Sequence, residues 1–316
     1  MLEMLRIQSL RIGGESCFMI LVPQFPKKVK YLLDFSYPLV AKLSQRTATQ
    51  QFVGGRPGYE KALLFQWLLM KKIMNWDYRT TAEMAGISHP TLIRANEMFL
   101  RTGMYEKVLK SLVKLAKKEG LMKGAYVAMD STFVKTFSRK KELGSEGYNG
   151  KKEAYGFKFH LLIDVPSGIP LALKLTNGLA HDSTLALTLL KSAKPYLKEV
   201  DYVLADKAYD SVDIIRFIAK ELRAKAGIPI VKRKRGKNYT WEGAWRNFHE
   251  KAKGRSIKKS IYNRRTEVER TFSQLKRVYK LGQEELKGIL NFAKQVYLSL
   301  ICYTIKKLWT KGITKI

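Results

Sequence analysis

The spacing of hydrophobic positions changes once along the chain, near residue 119, and that change divides it. Upstream, over 31–118, apolar residues recur at helical spacing: Leu63, Phe65, Trp67, Leu68 and Met70 form one stretch, and Met98, Phe99, Leu100, Val108, Leu109 and Leu112 form later ones. Between them YRTTAEMAGISHPTLIRANEMF reads as two helices joined by a tight turn. Gly86 can take the left-handed conformation that ends the first helix; Ser88 can cap the second, with Pro90 in its first turn. The pattern predicts a helix-turn-helix whose second helix starts at His89. In residues 1–30, Gly13, Gly14, Pro23 and Pro26 break every periodic pattern, which suits a peripheral extension.

Downstream, over 119–316, short apolar runs at 125–129, 157–163, 169–175, 202–205 and 228–231 are bounded by Gly, Pro or charged residues and read as strands. Asp164, Pro166, Ser167 and Gly168 make so short a link that strands two and three must form an antiparallel hairpin. Helical segments at 184–197 and 212–226 follow strands three and four. The order βββαβαβα is that of a mixed α/β domain.

Charge then narrows the partners. Lys and Arg number 59 against 27 Asp and Glu, a net +32 that implies a polyanion, either nucleic acid or an anionic membrane. With 46% apolar and 11% aromatic residues, disorder throughout is excluded. The long apolar segment at 289–305 is interrupted by Asn291, Lys294 and Gln295 and followed by Lys306 and Lys307, which suits a buried helix better than a membrane span. Cys17 and Cys302 are too far apart in sequence to build a CxxC zinc site or a disulfide framework, and no export signal is read, so an intracellular setting is expected. That leaves nucleic acid. If the helix-turn-helix reads DNA, Ser88, His89, Thr91 and Arg94 face bases or phosphates. Residues 232–256 form a short basic insertion with nine Lys or Arg against Glu242 and Glu250, interleaved with Tyr239, Trp241, Trp245 and Phe248. Its leading Lys232, Arg233, Lys234 and Arg235 are candidate phosphate contacts, and the aromatics could stack on exposed bases.

Three carboxylates occupy special places. Asp130 ends the first strand in YVAMDST, Asp206 ends the fourth in YVLADKAYDS, and Glu269 lies on the helix after the basic insertion. An acid at the end of an apolar strand is costly unless solvated, paired or bound to a cation. Two from neighbouring strand ends and a third from a crossing helix make the all-oxygen donor set that Mg²⁺ requires. At about 100° per residue, Tyr262, Arg265, Glu269 and Lys276 share a narrow arc of that helix beside a buried stripe of Val268, Phe272, Leu275 and Tyr279. Lys207 and His181 are site-adjacent candidates; Asp182 or Ser183 most simply caps the next helix, and His160 packs on its strand. The run from Gly144 to Lys151 has the wrong spacing for a phosphate-binding loop, so nucleotide hydrolysis is not expected.

DST at Asp130, YGFKFHLLIDVPSGIPLALKLTNGLAHDS at 155–183, LADKAYDS at 204–211 and the Tyr262, Arg265, Glu269, Lys276 spacing together resemble the DDE transposases of bacterial and archaeal insertion sequences, group five and the related group four, over residues 35–310. The resemblance implies an RNase H-like catalytic domain over 119–316, preceded by a helical DNA-binding domain over 31–118, with Asp130, Asp206 and Glu269 as catalytic residues. It implies two divalent ions, Mg²⁺ or Mn²⁺, and cleavage of double-stranded DNA at terminal inverted repeats followed by strand transfer into target DNA. Arg265, Lys276 and Tyr262 would then hold DNA. A homodimer or higher oligomer on DNA, in the nucleoid of a prokaryotic cytoplasm, follows from the same likeness. Ala208 stands where the family more often has Gly. The competing reading is a non-catalytic DNA-binding protein derived from such an enzyme.

Overall fold

Four-residue strands are too short for a period of two to show in sequence, and the turn-rich start of the chain holds two of them. β1 (Leu5–Gln8) pairs antiparallel with β2 (Ile20–Pro23). The computed structural model describes residues 5–8, 20–23, 27–45, 58–122, 124–229, 259–283 and 287–313. It separates into two compact units, Met1–Met104 with Gly312–Ile316, and Tyr105–Lys311.

In the first unit the apolar stretches form α1 (Lys27–Gln45), which runs through Pro38, and α2 (Lys61–Met74), joined by a bond from the Gln66 side-chain amide to the Leu33 carbonyl. α3 (Tyr78–Ala85) starts at Asp77, whose carboxylate accepts from the Thr80 amide at 2.7 Å. It stops at Gly86, whose φ of 64° turns the chain, and α4 (His89–Arg101) follows with Pro90 in its first turn. Ser88 holds the cap position, but its hydroxyl bonds the Thr91 hydroxyl at 2.8 Å and caps no backbone amide. Leu68, Leu92, Phe65 and Phe99 form the core, the two rings edge to face.

The second unit is built on one sheet. α5 (Met104–Lys118) leads to β3 (Tyr126–Lys135), β4 (Gly156–Asp164), β5 (Ile169–Asn177), α6 (Asp182–Ala193), β6 (Tyr202–Leu204), α7 (Val212–Lys220) and β7 (Lys225–Gly227). The spatial order is β5-β4-β3-β6-β7, and β4 alone runs against the others. This is the mixed sheet of an α/β domain, as the strand and helix order predicts. The hairpin at 164–168 forms as expected, closed by the Gly168 amide on the Asp164 carbonyl at 2.8 Å. Two strand positions differ from the sequence reading. β7 lies at 225–227, ahead of the expected run, whose residues 230 and 231 lie outside the described residues; it is the last strand of the sheet among the described residues and begins with exposed Lys225, which hides its apolar signal. Asp130 sits inside β3, not at its end: the strand continues to Lys135 because β4 pairs along its whole length, whereas β6 pairs only with Tyr126 to Ala128.

Downstream come α8 (Lys259–Tyr262), a 3-10 turn (Asn263–Arg265), α9 (Thr266–Arg277) and α10 (Ile289–Thr310). The basic insertion, with Lys232, Arg233, Lys234 and Arg235, lies outside the described residues. α9 and α10 cover one face of the sheet, placing Phe272 edge-on to Phe159 and stacking Phe292 on Phe157. The segment expected to be a buried helix is α10, and among the described residues no helix is long and apolar enough to cross a membrane. α6 packs on β4 and β5 from the other face. Phe159 is fully buried at this junction, so Phe159→Ala should cost about 3–5 kcal/mol by urea unfolding. A cost under about 1 kcal/mol would mean that the Phe272 contact is not part of the core.

Candidate active site

The register of the two central strands sets the site. Ala128 pairs with Leu204, so two residues further along each parallel chain Asp130 and Asp206 arrive at the same level. β6 has ended by then, which opens the flank of β3 beside Asp130. Alternation turns Asp130 and Thr132 toward α9, where Lys276 reaches Thr132. Asp206 caps the 3-10 turn Lys207–Tyr209, its carboxylate accepting from the Ala208 amide at 2.8 Å. Glu269 lies in the first turn of α9, its side chain about half exposed.

One cation joins the acids. Arg265 places one guanidinium nitrogen 3.0 Å from Asp130 and the other 2.6 Å from Glu269, over the Tyr262 ring at 5.8 Å. Its Nε is buried without a hydrogen-bond partner. Burial works against the Arg265 charge, but Asp130 and Glu269 outweigh it and raise its pKa. Burial likewise pushes Asp130 up, to about 6; the Ser131 amide and Arg265 pull it down, and Asp206 and Glu269 push it up again. Asp130 therefore feels the charge of both other carboxylates at this end of the sheet.

The sign of the pH effect follows. Between the ordinary carboxylate range and about 6 the folded state holds the Asp130 proton and the unfolded chain does not. Stability from this group thus rises as pH falls through about 6, and its cost is fully present above that. Asp130→Asn should flatten the metal-free stability profile between about pH 4 and 6 in urea titrations. An unchanged slope would assign the effect to other groups.

The other residues singled out in the sequence divide. Tyr262, Arg265, Glu269 and Lys276 face one side, although the 3-10 turn at Asn263–Arg265 breaks the single helix expected there. The Lys276 amine is spent on the Thr132 hydroxyl at 2.6 Å and the Phe133 carbonyl at 3.2 Å, so it bolts α9 to β3; burial lowers its pKa. Lys207 and His181 are exposed. Ser88, His89 and Arg94 are exposed on the first unit, with Thr91 partly so. Asp182 and Ser183 do not cap α6: the cap position is His181, and Asp182, inside the helix, accepts from Ser131 and Lys158. This cluster was missed, although the alternation of Lys158 and His160 against Phe157 and Phe159 in YGFKFH marks a polar face of β4.

The donor set suits a hard divalent cation: a largely desolvated Asp130 within reach of the charges of Asp206 and Glu269, with a guanidinium as the cation between Asp130 and Glu269. In this arrangement no three acidic, His or Cys groups among the described residues close around one point. A cation would replace Arg265 as the neutralising charge between Asp130 and Glu269.

The family profile for the transposase DDE domain matches residues 123–305, a span that holds all three carboxylates. The chain belongs to the transposase DDE-domain family. A relative from Brucella ovis, assigned to insertion sequence element IS6501 as its transposase, is 32% identical over 142 residues, 45% of this chain and 92% of that protein. Among solved structures, this DDE-family chain is similar to a piggyBac transposase synaptic complex with hairpin DNA (TM-score 0.45, 13% identity, 89% of this chain and 75% of that one). It is also similar to a pre-cleavage Mos1 transpososome (TM-score 0.22, 11% identity, 86% and 84% covered).

Proposed function

We propose that this transposase cuts double-stranded DNA at the ends of an insertion sequence and joins them to target DNA, with Asp130, Asp206 and Glu269 holding two divalent ions, Mg²⁺ or Mn²⁺. The observation that carries the reading is the placing of Asp130, on β3, beside Asp206, two residues past the end of the adjacent parallel β6, with Glu269 tied to Asp130 through Arg265. Bound there, the ions would supply Lewis-acid activation of the attacking oxygen and stabilisation of the leaving one. The chain's own residues fix the geometry. β3 and β6 set the spacing of the two aspartates, α9 carries Glu269 over them, and Lys276 locks α9 to β3. The net charge of +32 supplies affinity for the phosphate backbone. α4 supplies sequence preference, presenting Arg94 from its exposed side.

Labelled duplex carrying the element's end tests the reading. With Mg²⁺ the full chain should nick it at the element boundary, and a chelator should stop this. Binding of the duplex with no cleavage in Mg²⁺ or Mn²⁺ would leave a DNA-binding protein without catalysis. Arg94→Ala should weaken binding to end DNA about 5–150-fold more than binding to random duplex, since a base contact carries sequence information worth about 1–3 kcal/mol and a phosphate contact carries none. Equal losses in a competition gel shift would remove α4 as the reading helix.

A further inference from the structure

Behind the site, on the face of the sheet opposite α9, lies a polar cluster that the carboxylates do not explain. Asp182, the first residue of α6, is about four-fifths buried. Its Oδ1 accepts from the Ser131 hydroxyl at 2.7 Å and from the Lys158 amine at 3.1 Å, and Lys158 also donates to the Ala180 carbonyl at 2.7 Å. His160, fully buried and 3.6 Å from Asp182, bonds Thr176 at 2.9 Å; burial depresses its pKa to about 4, so it is neutral at neutral pH. Among the described residues Asp182 therefore has one cationic partner, Lys158, and one hydroxyl, Ser131.

The Ser131 bond leads to the site. Ser131 follows Asp130, and its amide donates to the Asp130 carboxylate at 2.8 Å, so the residue Asp182 grips is the one that orients Asp130. Tyr209, fully buried, ends the 3-10 turn that Asp206 begins. Burial, then the charges of Asp182, Asp130 and Asp206, raise its pKa, while Ser131 works the other way. Tyr209 thus stands among all three aspartates, and the turn carrying it packs against α6. A carboxylate taken this far out of water is costly unless its partners are fixed. Here those partners are the residue after Asp130 and a lysine on β4, with the Asp206 turn alongside.

We propose that Asp182 is a positioning residue that holds Asp130 and Asp206 at their common level from the rear face of the sheet. The proposal rests on reading those two aspartates as metal ligands. Asp182 touches neither DNA nor ion; it acts through Ser131 on Asp130 and through the packing of α6 against the Tyr209 turn on Asp206. Such outer partners typically carry about 10–100-fold in metal affinity.

The test titrates Mn²⁺ alone into the full chain, reading free Mn²⁺ by electron paramagnetic resonance, beside the melting temperature of each metal-free variant. Ser131→Ala removes only the link and leaves the Lys158 pair intact, so it guards against Asp182→Ala failing to fold. Both should weaken Mn²⁺ binding about tenfold, with the melting temperature of Ser131→Ala little changed. Asp182→Asn keeps an oxygen for Ser131 and should recover part of the affinity, which a purely structural role would not produce. Wild-type Mn²⁺ affinity in Ser131→Ala, in a series where Asp130→Ala abolishes binding, overturns the proposal. If Asp130→Ala binds Mn²⁺ normally, the metal reading is what has failed. Hydrogen exchange over residues 129–132 of the metal-free protein then decides on Asp182: faster exchange confined there in Ser131→Ala upholds it, and wild-type exchange overturns it.

Discussion

Glu269→Gln should lose Mg²⁺-dependent cleavage of end DNA by about 10³-fold or more while binding that DNA as well as the wild type does. The change keeps the length and shape of the side chain on α9 and removes its charge. Withdrawing one carboxylate from a hard-ion site forfeits several kcal/mol of transition-state stabilisation, and about 4 kcal/mol corresponds to 10³ in rate. Binding should survive because it draws on positive charge, and removing a negative charge near DNA relieves repulsion. Asp130→Ala and Asp206→Ala should behave alike. Glu267 is the internal control. Two residues earlier, it turns away and pairs with Arg270 at 3.3 Å and Lys307 at 3.6 Å, so Glu267→Gln should cleave normally. Near wild-type nicking by Glu269→Gln in both Mg²⁺ and Mn²⁺ would remove this glutamate from the ligand set.

The sheet was legible because β4 is buried on both faces and β5 opens on a buried run: both read as apolar, and the Asp164 to Gly168 turn fixes their direction. β7 was misplaced because an edge strand opening on an exposed lysine has no apolar run to find. In sequence Asp130 reads as a strand end because the apolar run stops there. A strand goes on as long as one neighbour pairs with it, and β4 pairs with β3 down to Lys135. The arc shared by Arg265, Glu269 and Lys276 could be read from helical spacing, because i, i+4 and i, i+7 contacts need little tertiary information. What Lys276 touches could not: the Thr132 hydroxyl is 144 residues away. Asp182 looked like a helix cap for the same reason. Local rules place an acid before a helix on backbone amides, and only the fold brings Ser131 and Lys158 to it.

Arg265→Ala should destabilise the metal-free protein by about 2 kcal/mol at pH 7.5 and by much less at pH 5. The guanidinium is largely buried and is the group joining Asp130 to Glu269, with a 3.0 Å bond on one side and a 2.6 Å bond on the other. Without it Asp130 keeps its desolvation and the repulsion of Asp206 and Glu269 but loses the attraction that offsets them, so its pKa climbs above about 6. At pH 7.5 the fold must then hold an uncompensated carboxylate or take up a proton. At pH 5 most Asp130 is already neutral in the wild type, so there is less attraction to lose. The Glu269 half of the pair adds little at either pH, because that side chain is half exposed and water screens the pairing. Saturating Mn²⁺ should restore stability more in Arg265→Ala than in the wild type, because the ion then supplies the only positive charge between the acids. Arg265→Lys should fall between the two, keeping the charge without the fork that reaches both carboxylates. Equal destabilisation by Arg265→Ala at pH 5 and pH 7.5, read from urea midpoints, would show that Arg265 acts through packing and not as the counter-charge of Asp130.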